Sequence, residues 1–404
     1  YQLDEGLLKT TVTDAENGQQ ATFTNGSGLT IRASQLSGPD GEIATLYAYD
    51  CINRPVRVTD TKGHQTVSVY DKLGRRTSVT HPASGTTRFS YDLAGNLVAK
   101  QTAELAKRGD SITYVYECNR LKEIHYPGHP ENDVTYVYGT KTDTGATNGF
   151  RAGRLKYLID GSGAREYTYG RMGEVTQERR TLIIPNQAVA TYVTGWTYDA
   201  WNRVRTMTYP DGEQLTYQYN PGGLLRAING VKDGQQYAYL LTINYDKFER
   251  RTSIRYGNNV VTEYTYNDLS FNLSNLKVVS TYLNNRCLMD NAYTYDAVDN
   301  VTKVTNTAPI PSTGIGGNIT HNYAYDGLYR LQTANGFYQG NAGKIAAYNL
   351  VMTYDNLHNI TGKKLDIGQV NLQFTGELET GYDLTYAYNS TNDQQLAQVA
   401  DTGY

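Results

Sequence analysis

Polar and apolar residues alternate along most of this chain, and tyrosine marks the alternation. Tyr47-Ala48-Tyr49, Tyr114-Val115-Tyr116, Tyr136-Val137-Tyr138, Trp196-Thr197-Tyr198 and Tyr217-Gln218-Tyr219 each set two rings two residues apart. That spacing puts both rings on one face of a strand. In eight places an Asp follows at once: Tyr49-Asp50, Tyr70-Asp71, Tyr91-Asp92, Tyr198-Asp199, Tyr245-Asp246, Tyr295-Asp296, Tyr325-Asp326 and Tyr354-Asp355. An Asp side chain bonds its own backbone two residues on, which ends the strand. Gly74, Gly95 or Asn202 then supplies a residue that tolerates left-handed dihedrals. An Arg or Asn opens a second alternation, as in Arg75-Arg76-Thr77-Ser78-Val79 and Arg203-Val204-Arg205-Thr206-Met207. Pro210-Asp211-Gly212, Asp160-Gly161 and Asp233-Gly234 close it. One unit is therefore strand, turn, strand, turn.

Degenerate copies stand at Tyr116-Glu117, Tyr138-Gly139, Tyr169-Gly170, Tyr219-Asn220, Tyr266-Asn267 and Tyr388-Asn389. The closest units are 21 residues apart and the others carry insertions. A period in this range signals repeat architecture. The repeats run from about 47 to 390, and no domain boundary shows within 1–404. Helix-period stretches are rare: Ala103–Lys107 is the one candidate, and Thr307–Asn318 reads as a loop. Fourteen two-strand units predict about 28 strands at ~4.8 Å spacing. A sheet of that extent does not stay open and flat. The predicted fold class is all-β, with hairpins coiled into a hollow spiral or barrel-like shell.

Composition sharpens this picture. The chain has 404 residues with 37 Tyr against 7 Phe. Tyrosine in such excess suits rings that are packed while the hydroxyl reaches water or a backbone partner. With Gly counted in and Tyr out, apolar usage is roughly 40%, below the ~45–50% of ordinary globular domains. A thick core is not expected. The net charge is −3, without a basic block, which disfavours nucleic acid. No apolar run approaches the ~18–20 residues of a membrane-spanning helix. Cys51, Cys118 and Cys287 are too few and too far apart for a disulfide scaffold or a Cys-x-x-Cys zinc site. The chain opens at Tyr1 without Met or leader, and the expectation is an internal piece of a longer polypeptide.

The candidate chemistry is thin. Of His64, His81, His125, His129, His321 and His358, only His125 and His129 have an i,i+4 spacing, and Pro127 and Gly128 between them forbid the helix a zinc pair needs. The Tyr-Asp carboxylates recur at strand ends, so they read as turn caps, and no single convergent pair suits a glycosidase. Gly340-Asn341-Ala342-Gly343-Lys344-Ile345 lacks the spacing and the Ser/Thr of a phosphate loop. Gly314-Ile315-Gly316-Gly317 is no dinucleotide fingerprint. Gly26–Gly28 and Gly161–Gly163 lack the flanks of a nucleophile elbow. No catalytic, metal or cofactor residue is expected. The tyrosine stripe reads as a ladder in which each ring stacks on its neighbour one unit away, with a sugar-binding aromatic surface as the alternative. Asn25, Asn272, Asn300, Asn318, Asn359 and Asn389 begin Asn-x-Ser/Thr triplets.

The recurrent Tyr-Asp-x-x-Gly-Arg/Asn-Leu pattern, clearest in YDKLGRR, YDLAGNL and YDGLYRL, resembles the YD repeat of RHS proteins. That family includes bacterial polymorphic toxins, the B and C components of insecticidal Tc toxins, and animal teneurins. The resemblance covers nearly the whole chain. It implies a β-strand cocoon that shields a C-terminal toxic polypeptide until delivery out of a bacterial cell. It implies a structural rather than enzymatic segment, with the toxin and other Tc or type VI secretion subunits as partners. The family's closing plug and its self-cleaving aspartyl protease motif do not appear, so no protease residue is carried over. The alternative implied is a surface adhesion or carbohydrate-binding module with glycan partners. A polysaccharide-active hydrolase is a third, weaker reading.

Overall fold

The computed structural model describes residues 2–4, 6–38, 41–311, 317–372, 377–389 and 392–402. Among them lie thirty-three strands, one short α-helix and two single-turn 3-10 helices. The all-β expectation is borne out. The described strand pairings are antiparallel and join neighbours in sequence, as in Ala190–Tyr198 with Val204–Thr208 and Gln214–Tyr219 with Leu225–Lys232. At one place the ladder branches: Ile360–Val370 pairs with both Glu377–Glu379 and Tyr382–Asn389.

The chain forms two compact units. The first holds Tyr1–Val69, Val79–Gly85 and Val261–Tyr404, the second Tyr70–Ser78 and Thr86–Val260. The first unit begins with strands Gln2–Asp4, Leu7–Thr13, Gln19–Thr24 and Thr30–Gly38, ahead of the first Tyr-Asp. They follow the same plan with Asn25 in the place of Asp: its Oδ1 accepts from the Ser27 and Leu29 amides, both at 3.0 Å. The Gln-rich tail is also regular, as strand Asn392–Asp401 paired with Tyr382–Asn389. Gln394 Nε2 donates to Asp60 Oδ2 (2.9 Å) and Gln395 Nε2 to the Ala83 carbonyl (2.6 Å). The first unit thus returns on itself across more than 300 residues of sequence.

The second unit contains the helix, Ala103–Arg108. Thr102 caps it by accepting the Leu105 amide, and Gly109 closes it in the left-handed region at φ 75°. The predicted helix is therefore present and one residue longer. Thr307–Pro311 carries no strand, in keeping with the predicted loop; residues 312–316, Gly314 and Gly316 included, lie outside the described residues. Gly340–Lys344 is a hairpin turn, with the Gly340 amide donating to the Lys344 carbonyl at 2.7 Å. Gly161 permits a close approach, since a Cβ there would sit 1.9 Å from the Glu131 carbonyl oxygen.

One irregularity repeats in both units. Opposite each repeat tyrosine the partner strand holds an extra residue: Thr197 faces Thr206 but Tyr198 faces Val204. The same slip occurs at Tyr49, Tyr138, Tyr169, Tyr219, Tyr295, Tyr325 and Tyr354. A β-bulge bends its strand and raises the local right-handed twist.

Little of the molecule is core. Ala21, Phe23, Ile43, Ala308, Ala334 and Tyr338 are buried in the first unit, and Leu215, Ala227, Leu240, Ile243 and Ile254 in the second. No described side chain of large volume is fully buried. The exposed area is 24223 Å² for 45.0 kDa. A compact chain of that mass exposes about 16,000 Å². The low apolar content therefore reflects sheet that is mostly one layer thick.

Candidate functional site, a repeated turn and its tyrosine latch

The repeated turn is built from Asp outward. In the turn that follows Tyr70, Asp71 Oδ1 accepts the Leu73 and Arg75 amides, both at 2.9 Å, and Arg75 Nε donates to Oδ2 at 2.7 Å. The Asp71 amide in turn donates to the Arg75 carbonyl. Asp50, Asp199, Asp246 and Asp326 repeat this set with Arg54, Arg203, Arg250 and Arg330. Asp92, Asp296 and Asp355 repeat it with Asn96, Asn300 and Asn359, whose Nδ2 takes the guanidinium's place at 2.8–3.0 Å. The fourth residue of the turn is left-handed throughout: Gly74 at φ 84°, Gly95 at 91°, Asn202 at 60°, and also Glu249, Tyr329 and His358.

Bonding of this kind lowers the carboxyl pKa values. The Arg54 and Arg75 backbone amides hold Asp50 and Asp71 below the ordinary 3.8, aided by the same residues' guanidinium groups. The side chains of Asn96 and Arg203 do most for Asp92 and Asp199. At Asp326 burial pushes upward, but bonds from the Arg330 backbone and side chain outweigh it.

Most of the repeat tyrosines reach back to the preceding unit. The Tyr91 hydroxyl donates to the carbonyl of Arg76, the residue after the turn's Arg75 (2.9 Å). By the same rule Tyr219 donates to Val204, Tyr325 to Val301, Tyr354 to Leu331 and Tyr388 to Ile360, at 2.7–3.0 Å. Tyr49, Tyr138, Tyr169, Tyr198, Tyr245 and Tyr295 each do likewise. Burial pushes Tyr198, Tyr325 and Tyr354 above the phenol's 10.0, so these hydroxyls stay protonated donors. The turn's arginine completes the link by lying over the next ring: Arg75 over Tyr91 at 5.0 Å, Arg203 over Tyr219 at 4.3 Å and Arg330 over Tyr354 at 4.6 Å. Arg75 and Arg330 also donate to the Asp92 and Asp355 carbonyls at 2.8 Å.

This arrangement corrects the ring-on-ring ladder. What lies on Tyr91, Tyr219 and Tyr354 is the guanidinium of the preceding turn. The described Tyr–Tyr contacts, Tyr167–Tyr169 at 6.5 Å and Tyr237–Tyr239 at 6.4 Å, sit within one strand. The reason is geometric: the tyrosine crosses to the preceding hairpin to reach a carbonyl, and the arginine fills the space above it. The Asp, Arg and Tyr are legible in the sequence; the carbonyl acceptor is a backbone atom and leaves no mark there.

His125 and His129 take turn and surface roles. His125 ends strand Arg120–His125, with Nδ1 2.9 Å from Asp133 and Nε2 3.1 Å from Glu123. Asp133 first and Glu123 second hold its pKa above 6.5. His129 lies 3.0 Å from Glu131 in the turn that follows. Cys51, Cys118 and Cys287 are free. Among the described residues no group of three or more His, Cys, Asp or Glu could hold a metal ion. Asn272, Asn300 and Asn359, three of the glycan-acceptor asparagines, donate their side-chain amides to Asp299, Asp296 and Asp355. One aromatic concavity lies in the second unit, lined by Tyr192, Tyr209, Tyr239, Leu215 and Ile228 with Asp211 and Glu213. Its carboxylates are engaged, Glu213 by the Tyr239 hydroxyl and Asp211 by Lys232 at 2.6 Å.

Comparison with known proteins converges on one group. The family described as RHS Repeat matches residues 70–107 and 198–235. Toxin subunit YenC2 of Yersinia entomophaga is 27% identical over 373 residues, covering 89% of this chain and 36% of YenC2. The probable deoxyribonuclease RhsA of Dickeya dadantii is 27% identical over 204 residues, covering 47% of this chain and 13% of RhsA. The crystal structure of TcdB2-TccC3-TEV superposes with a TM-score of 0.80 at 19% identity, over 98% of this chain and 22% of that one. A crystal structure of TcdB2-TccC3 gives 0.75 over 96% of this chain. The chain thus spans about a third of YenC2 and less of the others.

Proposed function

Since this chain belongs to the RHS/YD-repeat family, related to Tc toxin subunits, we propose that it is a stretch of containment wall, shielding a toxic polypeptide until delivery. The observation that carries this reading is a sheet largely without a second layer, most hairpins fastened to the last by a tyrosine latch and several by an arginine clamp as well. A single-layer sheet with few buried side chains cannot be stabilised by a deep core. Its strength comes from fastenings repeated along its length, which is what a barrier needs. The twist supplied by the recurrent bulges favours a curved wall over a flat one.

Shielding is steric and needs no catalytic group. The Tyr-Asp carboxylates are occupied by their own turns, so we place no chemistry in them. Catalysis belongs to the enclosed polypeptide; RhsA carries deoxyribonuclease in its name, and this chain matches 13% of it. The likeness to TcdB2-TccC3 supports association with other Tc-type subunits, and the likeness to toxin subunits supports export from the bacterial cell. Carbohydrate binding is the second reading, favoured by the tyrosine-lined concavity at Tyr192, Tyr209 and Tyr239; a glycan array probed with wild type and Tyr209→Ala tests it.

Limited proteolysis of the full-length gene product tests containment. The wall protects a C-terminal segment, so that segment is cut far more slowly in the intact protein than when released. Equal rates of cleavage contradict the proposal.

A further inference from the structure

The tyrosine-lined concavity of the second unit lies beside two arginines that the Tyr-Asp turns and latches do not use. Arg165 stands directly opposite Arg180 on the neighbouring strand, and Arg180 directly opposite Tyr192 on the next. Residues opposed in this way share one face of the sheet, and like charges so placed cost stability unless something answers them. Arg180 Nη2 donates to Ser162 Oγ at 2.6 Å, while its Nη1 is buried with no hydrogen-bond partner. Arg165 is exposed, and among the described residues its guanidinium has no hydrogen bond or ion pair. Asp160 is near enough for both guanidinia to help hold its carboxyl below 3.8, but the Ser162 hydroxyl, donating at 2.5 Å, does most of this. Glu178 shares the face with Arg180, yet among the described residues it is ion-paired with neither arginine. From Thr181 to Tyr198 the sequence carries no charge.

Tyr192 also lines the concavity, which holds about 540 Å³, within the ~300–1,000 Å³ of small-molecule sites. Leu215 in it is buried, Ile228 is half-buried, and Tyr192, Tyr209 and Tyr239 are 47%, 37% and 47% exposed. Gly230 makes room for one of these rings, since a Cβ there would come within 2.5 Å of Tyr239. A sugar needs polar groups free to meet its hydroxyls. Here Glu213 is taken by the Tyr239 hydroxyl and Asp211 by Lys232. What the concavity offers is chiefly apolar surface, with unanswered positive charge at one side.

We propose that this row binds a fatty carboxylate, with its alkyl chain against Tyr192, Tyr209 and Tyr239 and its head group between Arg165 and Arg180. The occupant follows from charge complementarity: a planar forked donor matches a carboxylate, and two of them stand together without one. As Arg180 turns toward the head group, its enclosed Nη1 gains an acceptor and the like-charge pair gains a counter-charge. The chain removes exposed tyrosine surface from water. This site goes beyond containment and holds whether or not the sheet is a wall.

Calorimetric titration of the intact chain with octanoate, kept below the concentration at which it forms micelles, tests the proposal. Octanoate is expected to bind with a Kd of ~1 mM or tighter, and octanol, which lacks the charge, and acetate, which lacks the chain, at least about tenfold more weakly. R165Q/R180Q brings octanoate down to the affinity of octanol. Tyr192→Ala, a change at an exposed side chain, weakens octanoate and octanol alike. A wild type that does not bind octanoate, or binds octanol or acetate as well, overturns the proposal. So does R165Q/R180Q or Tyr192→Ala with the wild-type affinity for octanoate. The comparison of octanoate with octanol needs wild type alone, so it decides the matter even if the double variant has a lower Tm.

Discussion

Tyr354 shows what a single residue contributes to this molecule. Its hydroxyl holds the Leu331 carbonyl, and Arg330 lies on its ring while also bonding Asp326 and the Asp355 carbonyl. Tyr354→Phe removes one neutral hydrogen bond and keeps the ring. The expected loss is about 0.5–1.5 kcal/mol in urea unfolding. Arg330→Lys costs more than the net charge suggests, because lysine has neither the planar fork nor the stacking face. The titratable residues give opposite pH slopes. Asp50, Asp71 and Asp199 are lowered below 3.8, so their contribution is complete above that value and is lost as pH falls through their lower folded values. His125 is raised above 6.5 by Asp133, so its contribution is present below 6.5 and fades as pH rises through the folded value. Urea midpoints measured against pH are expected to drop steeply below about pH 4, and His125→Gln is expected to abolish a shallow decline above neutrality.

At the scale of the hairpin, the turn and its bulge set the geometry. The fourth turn position is left-handed in every Tyr-Asp turn, and Glu249 occupies it at φ 63°. A non-glycine residue there costs roughly 1–2 kcal/mol. Glu249→Gly is expected to raise stability by about 1 kcal/mol, and Gly74→Ala, at φ 84°, to lower it by about as much. Equilibrium denaturation of the two variants checks both signs. This is also where the sequence was most readable. The ring spacing gave the strands, and Asp50, Asp71 and their equivalents marked the turns because a cap must be a short acceptor at a fixed offset. The strands before Tyr47 went unread because Asn25 caps its turn without a preceding tyrosine. The Gln394 and Gln395 contacts were invisible because glutamine has no positional signature and its partners are more than 300 residues away. The bulge was hidden for a different reason: an extra residue in a β-branched run leaves the alternation looking intact.

For the molecule as a whole, the deciding fact is how little it buries. With 24223 Å² exposed and a short list of buried side chains, the chain behaves as a fastened sheet. Its likeness to the TcdB2-TccC3 crystal structures extends to 96–98% of its length, so the sheet it forms is a recurrent one. In the function proposed above, the Tyr-Asp hairpins form a wall one strand thick with enclosed space behind it. An electron cryomicroscopy map of the full-length protein tests this most directly. A single layer of strands is expected, with the enclosed polypeptide as separate, weaker density behind it. A second sheet packed about 10 Å from the first, over a dry interior, contradicts it.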